Sequence, residues 1–221
     1  MINAKVASLP DGAMGFDITT PLTAVSAHQY RSKGYGFVVR YIGRGDGSHT
    51  FVDISQAEAQ IIVNAGLGLC VVQHPLAAGW SPSAQRGQQF GEAAAGITAT
   101  AGLLHGTTVW LDLEGVVDDA EAQDVIDYCN AWHDAVAAAG FTPGVYIGAS
   151  PGLTADEIYW DLRMQSYWRG GSSAAAGVPT DIPHRGYQMV QRITGTGNSE
   201  FDSDVIRTDN FGGKVRMCVA R

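Results

Sequence analysis

Short apolar runs alternate with stretches whose apolar positions recur every three or four residues, and the alternation repeats five times. The runs Met14–Ile18, Gly36–Ile42, Leu67–Val72, Thr108–Gly115 and Gly144–Gly148 read as strands, rich in β-branched and aromatic residues and closed by turn formers. Two of them, Gly36–Ile42 and Leu67–Val72, are almost wholly apolar, as strands covered on both faces are. Thr23 is placed to cap a helix that Gly34 stops. Ser55 and Glu58 form a capping-box pattern, each side chain serving the other's backbone amide, for a helix reaching Ala65. Ser81-Pro82 sets Ser at a cap and Pro in a first turn, ahead of an Ala-rich helix to about Leu104. Gly87, Gly91 and Gly96 either weaken that helix or let it pack closely on a neighbour. Asp118 or Asp119 is read as the cap of the next helix, whose Val125, Cys129, Trp132 and Val136 share one face. A second capping box, Thr154 with Glu157, opens a short helix.

The rhythm then changes. Leu162–Trp168, Gly186–Ile193 and Phe201–Ile206 read as strands with no helix between them, separated by the small-residue loop Gly170–Gly177 and the irregular stretch Thr180–Arg185. Lys214–Ala220 is a candidate final strand. Strand-then-helix repetition implies a parallel sheet with right-handed crossovers. The expectation is an α/β fold in one domain over residues 1–221: an irregular TIM-type β/α barrel of five βα units and then three strands lacking regular helices.

Composition narrows the function. The 221 residues are 45% hydrophobic and 16% charged, enough for a sizeable core. A net charge of −8 with no run of Lys or Arg argues against nucleic acid or an anionic membrane as partner. Three widely spaced cysteines in apolar contexts predict neither a disulfide framework nor a Cys-type zinc site. The first fifteen residues lack a continuous apolar core, so no Sec leader is expected, and no apolar run approaches the ~20 residues of a membrane span. The expectation is a soluble monomer, cytoplasmic in the producer or exported by a non-Sec route.

The chemistry concentrates in Thr108–Gly115. Side chains two apart on a strand share a face, so Trp110, Asp112 and Glu114 point one way and Val109, Leu111 and Leu113 the other. The two carboxylate stems are then roughly 6.6 Å apart, a separation that lets one acid protonate a leaving oxygen while its neighbour steadies positive charge on a sugar ring. Buried structural acids are the alternative. Glu114, beside a like charge and at the strand's end, is the candidate for the raised pKa, and Asp112 for the group that stays ionised. Asp17 is either a third site acid or a cap for the helix after Pro21. Asp202 and Asp204 share a strand face, lining the same site or forming a solvated edge with Arg207.

Trp110, Tyr146, Trp168 and Tyr187, with Tyr41 behind them, are the rings on which sugar faces could stack, unless they fill the barrel. His74 is a candidate contact, though both it and His184 also fit ordinary loop or core positions. Six scattered histidines, none paired at i, i+4 beside an acid, predict no metal site, and no cofactor is expected. No Gly-x-Ser-x-Gly anchors an esterase triad, and Gly43-Arg-Gly-Asp-Gly47 lacks the Lys-Ser/Thr of a phosphate loop, leaving a flexible loop near the mouth.

In this order the pieces resemble glycoside hydrolase family 25, lysozymes that cut bacterial cell-wall glycan, and most of all its glycoside-hydrolase-like relatives of mycobacterial type. The motifs are Gly15-Phe16-Asp17-Ile18, Trp110-Leu111-Asp112-Leu113-Glu114, Gly144-Val145-Tyr146-Ile147, Tyr187-Gln188 and Phe201-Asp202-Ser203-Asp204. Departures are Arg40-Tyr41 on the second strand, Gln73-His74-Pro75 after the third, and Asp204 where the lysozymes often carry Asn. The resemblance implies Glu114 as general acid, Asp112 as its electrostatic partner, and Asp17 and Asp202 in the same pocket. Gln188, Arg40 and His74 join the rings as substrate contacts. It further implies hydrolysis of an amino-sugar glycan, peptidoglycan foremost, with a non-catalytic carbohydrate-binding or scaffold domain as the alternative.

Overall fold

The computed structural model describes residues 1–171, 177–192 and 201–221. Most of the expected loop at 170–177, and the end of the expected strand at Ile193, lie outside them. The strands are β1 (Lys5–Ala7), β2 (Met14–Ile18), β3 (Phe37–Ile42), β4 (Gly68–Gln73), β5 (Thr108–Leu113), β6 (Thr142–Ile147), β7 (Tyr167–Arg169), β8 (Met189–Arg192), β9 (Asp202–Ile206) and β10 (Met217–Val219). The helices are α1 (Ala24–Ser32), α2 (Gln56–Asn64), α3 (Ala84–Thr100), α4 (Ala122–Ala138) and α5 (Ala155–Trp160).

The sheet runs β4-β3-β2-β9-β8-β7-β6-β5 and closes through β4–β5 pairing into an eight-stranded barrel. Strands β2 to β8 are mutually parallel, and β9 alone in the ring is antiparallel to both its neighbours. The short, unforeseen β1 pairs with β10, which joins the lower part of β4 at Cys218 and Leu69. This is the expected irregular β/α barrel.

Alternation divides the apolar residues into two layers. Val38, Ile42, Val71, Val109, Leu111 and Val145 face the helices, whereas Phe37, Val39, Cys70, Trp110, Trp168 and Met189 fill the barrel. Gly87 and Gly91 let α3 lie against α4: a Cβ on Gly91 would stand 2.7 Å from the Trp132 carbonyl, and one on Gly87 would strike that of Tyr128. Among the described residues no helix is long and apolar enough to cross a membrane.

Three helix starts depart from expectation. Ser83, not Ser81, caps α3, because residue 80 is still extended in a bridge to Val116. The α4 cap is Glu121 rather than Asp118 or Asp119, and it makes no side-chain bond. There the chain stays extended past β5, Val116 N–H bonding to Ser150 and Val117 N–H to Trp80. At α2, Ser55 accepts from Glu58 N–H as expected, but the Glu58 carboxylate does not return the bond. It is taken by Arg40 and by the Leu22 amide.

Candidate active site

Lumen-facing residues at the C-terminal mouth of the barrel are polar. Asp17 ends β2's inward row, Tyr41 that of β3, Asp112 that of β5, Tyr146 that of β6 and Gln191 that of β8. Because β9 runs the opposite way, its first residue, Asp202, sits at the mouth and pairs in register with Asp17, while Asp204 lies one layer deeper opposite Gly15. Glu114 follows β5 at the rim. Its backbone is held there by the Trp80 indole, which donates to the Glu114 carbonyl at 2.7 Å, and by Gly115, whose φ of +66° turns the chain.

These groups line an open pocket of about 270 Å³. Asp17, Asp112, Glu114 and Asp202 supply its acids, and Tyr41, His74, Pro75, Thr19 and Phe201 its walls. The volume lies just below the roughly 300–1,000 Å³ usual for small-molecule clefts. The four acids expected to meet therefore do meet, and Asp17 is no helix cap, since Thr23 and Ser26 cap α1 between themselves.

Burial raises every acid here. Asp112 is pushed well above the carboxylate range by burial first, then by Glu114 and Asp17. Its Oδ1 is buried without a hydrogen-bond partner. Glu114 and Asp202 are raised by burial. Asp17 reaches about 6, through burial opposed by the Gln191 bond. Asp204 is raised well above 3.8 by burial and by Asp17. This differs from the expected order: Asp112, deeper in the barrel than Glu114, is pushed further above its usual range than Glu114 is.

The consequence for stability follows by linkage. An acid with a folded pKa above its unfolded value stabilises most below the unfolded pKa, and that contribution is lost as pH rises through the folded one. For Asp17 the window runs from 3.8 to about 6, worth about 3 kcal/mol. Urea unfolding at constant ionic strength should therefore show stability falling between pH 4 and 7. A flat or rising curve would contradict the burial of these acids.

Other expected contacts lie elsewhere. Trp110 and Trp168 are fully buried and meet edge-to-face at 5.7 Å beneath the acids, so neither can stack on a sugar. Tyr146 packs on Trp168 at 4.6 Å and turns its hydroxyl to Gln191 at 3.0 Å. Tyr187 is buried on the outer layer, donating to the Pro179 carbonyl. Gln188 precedes β8 at the far end of the barrel, where its side chain meets Tyr167 N–H, the Gln165 carbonyl and Asp209. Arg40 is sealed on the helix side of β3, its Nε 2.6 Å from Glu58 Oε1, and so touches no substrate. His74 does line the pocket, its pKa lowered chiefly by burial, so the ring is neutral near pH 7. Among the described residues no group of His, Cys, Asp or Glu is arranged to hold a metal ion.

Residues missed in the sequence complete the site. Gln191 donates to Asp17 Oδ2 at 2.8 Å and accepts from Gly171 N–H at 3.0 Å. Alternation from Met189 would have placed it inward. Gly148 and Gly170 make room: a Cβ on Gly148 would come within 2.6 Å of the Glu114 Cβ, and one on Gly170 within 3.0 Å of the Tyr146 hydroxyl. Gly148→Ala should thus displace the Glu114 side chain in a crystal structure of the variant, with the far-ultraviolet circular dichroism unchanged. A Glu114 side chain found in its original place would show that the rim absorbs the added methyl group.

Comparison with known proteins gives a consistent picture. The family model for the Rv2525c-like, glycoside hydrolase-like domain matches residues 28–210. No curated protein matches the chain in sequence. Among solved structures, an uncharacterized B. stearothermophilus protein superposes with TM-score 0.66 at 16% identity, over 89% of this chain and 96% of that one. The Mycobacterium tuberculosis Tat-secreted protein Rv2525c, in complex with HEPES, gives 0.64 at 18%, over 91% and 98%. A bacterial lysozyme from Streptomyces coelicolor gives 0.56 at 18%, over 92% and 95%. At these identities the likeness to each structure is one of fold.

Proposed function

This chain belongs to the Rv2525c-like, glycoside hydrolase-like domain family, and on that premise we propose that it hydrolyses an amino-sugar glycan, with peptidoglycan the leading substrate. The observation that carries the reading is the convergence of Asp17, Asp112, Glu114 and Asp202 on one open pocket at the barrel mouth. Four acids around a cavity that, among the described residues, no Lys or Arg lines suit a neutral polyol that acquires positive charge as its bond breaks.

Glu114, raised by burial and at the rim, is the general acid. It gives its proton to the glycosidic oxygen as the C–O bond breaks, the bonding pair leaving with that oxygen and positive charge spreading over the ring. Asp17, ionised above about pH 6, supplies the opposing negative charge. Asp112, raised by burial and lining the pocket, in its protonated form donates a hydrogen bond to a substrate oxygen. Asp202 positions the ring or the attacking water. Tyr41 and His74, not the sealed tryptophans, form the wall against which a sugar packs. The reading implies a place of work at the cell wall, reached by export; the M. tuberculosis relative is a Tat-secreted protein.

The test is clearing of purified peptidoglycan, with chitooligosaccharides in parallel and mass spectrometry of the products. Release of reducing sugar ends from peptidoglycan is the expected result. Saturable binding to either glycan with no new reducing ends would favour the carbohydrate-binding alternative, which the withdrawal of Trp110 and Trp168 from the pocket does not help.

A further inference from the structure

Asp204 plays no part in the mechanism above, yet it is fully buried and is the diagonal neighbour of Asp17 on the inward face of the β2–β9 pair, close enough for each carboxyl to act on the other. Two carboxylates cannot bond to each other; one must carry a proton. The surrounding donors decide which. Asp17 receives Gln191 Nε2–H at 2.8 Å and the Tyr41 hydroxyl. Among the described residues, Asp204 Oδ1 receives the Trp168 indole N–H, at 3.0 Å, and its Oδ2 has no donor. Asp17, with more donors and an opening to solvent, suits the anion; Asp204 Oδ2, with none, suits the proton.

We infer that Asp204 holds a proton on Oδ2 and donates it to Asp17, a positioning residue that fixes Asp17 as a singly charged acceptor at the base of the pocket. The groups facing this pair agree with that assignment. Tyr41 on β3, Cys70 on β4 and Tyr146 on β6 are all raised by burial and stay neutral near pH 7. Asp112 and Glu114 on the β5 side and Asp202 on β9 are acids, so among the described residues no cation offsets a second negative charge. The direction for Asp204, upward through burial and Asp17, is the same. The β2–β9 register sets the pair, since Asp204 faces Gly15, whose missing side chain makes room for the Phe37 ring, and so lies diagonal to Asp17 on the same face.

The role assigned to Asp17 in catalysis rests on the proposed glycosidase reading, but the place of the proton does not, and the experiment separates them. Carboxyl-carbon NMR titrations of Asp17 would be recorded in the wild type, Asp204→Asn and Asp204→Leu, with infrared spectra at pH 7–8. Asparagine keeps an uncharged donor and an acceptor, so the Asp17 midpoint should move by less than about half a pH unit, whereas leucine removes the donor and should raise it by about one unit or more. The wild type should show a protonated-carboxyl band that Asp204→Asn loses, with the Asp112 band remaining. On glycan, Asp204→Asn should stay within about threefold of wild-type kcat while Asp204→Leu falls at least about tenfold, with its acid limb displaced upward. A midpoint lowered by more than about one unit in Asp204→Asn would mean that Asp204 had been charged, and would overturn the inference. So would an unmoved midpoint in Asp204→Leu. If the wild type cleaves no glycan, the titrations still decide the proton's place, and only the functional reading fails.

Discussion

Under the proposed glycosidase reading, Glu114→Gln is expected to reduce glycan cleavage by about 10²–10⁴-fold, the span that a positioned general acid contributes, while leaving the fold and glycan affinity intact. Glutamine has the shape of glutamate, so it keeps the packing over Gly148 and the backbone anchor from Trp80. It cannot give a proton to a leaving oxygen. The loss should therefore fall on kcat, with KM little changed, because the missing interaction is made only as the bond breaks. The measurement is initial rate of reducing-end release, with binding of the same glycan by calorimetry as control. A variant that retained more than about a tenth of wild-type kcat would remove Glu114 from the acid's role.

The largest expected effect on stability comes from Arg40→Leu. The guanidinium has five N–H groups and all are placed. Nε meets Glu58 Oε1 at 2.6 Å, Nη1 the carbonyls of Ile18 and Thr19 at 2.9 and 2.8 Å, and Nη2 Val52 and Glu58 Oε2 at 3.2 and 3.4 Å. Leucine would strand the buried Glu58 carboxylate with one remaining donor, the Leu22 amide. Breaking a buried pair from one side costs about 3–5 kcal/mol, or roughly 6–20 °C in Tm for a chain of this size. Arg40→Leu with Glu58→Leu should recover much of that loss, since the pair itself offsets little beyond its own desolvation. Thermal unfolding of the three variants decides it. A single variant within about 1 kcal/mol of wild type would mean that water reaches Glu58. Two of the three carbonyls that Arg40 holds belong to the residues after Asp17, so the variant should also loosen one wall of the pocket.

The strand that carries the chemistry was legible because alternation is local: Trp110, Asp112 and Glu114 share a face whatever surrounds them. The same rule would have turned Arg40 away from Tyr41, and Gln191 rather than Gln188 into the lumen. In both cases a motif outweighed the alternation, and the structure follows the alternation. Helix caps were legible where side chain and backbone are neighbours, as at Thr23 and Thr154. They failed at α3 and α4, where pairing between Trp80, Val116 and Ser150 keeps the chain extended beyond the residue that looked like a cap.

By itself the sequence determined the order and number of βα units, the inward and outward faces of the strands, and the acids available for chemistry, because each depends on residues within a few positions of one another. Only the tertiary structure decided depth. Closure of the barrel seals Trp110 and Trp168, leaves Glu114 at the rim above Asp112, and so reverses which acid holds its proton more tightly. It also decided direction, since the reversal of β9 brings Asp202 to the mouth beside Asp17 and sets Asp204 beneath them. Depth and direction are properties of the closed ring, fixed by contacts up to nearly two hundred residues apart, such as Gln191 with Asp17, and no local pattern carries them.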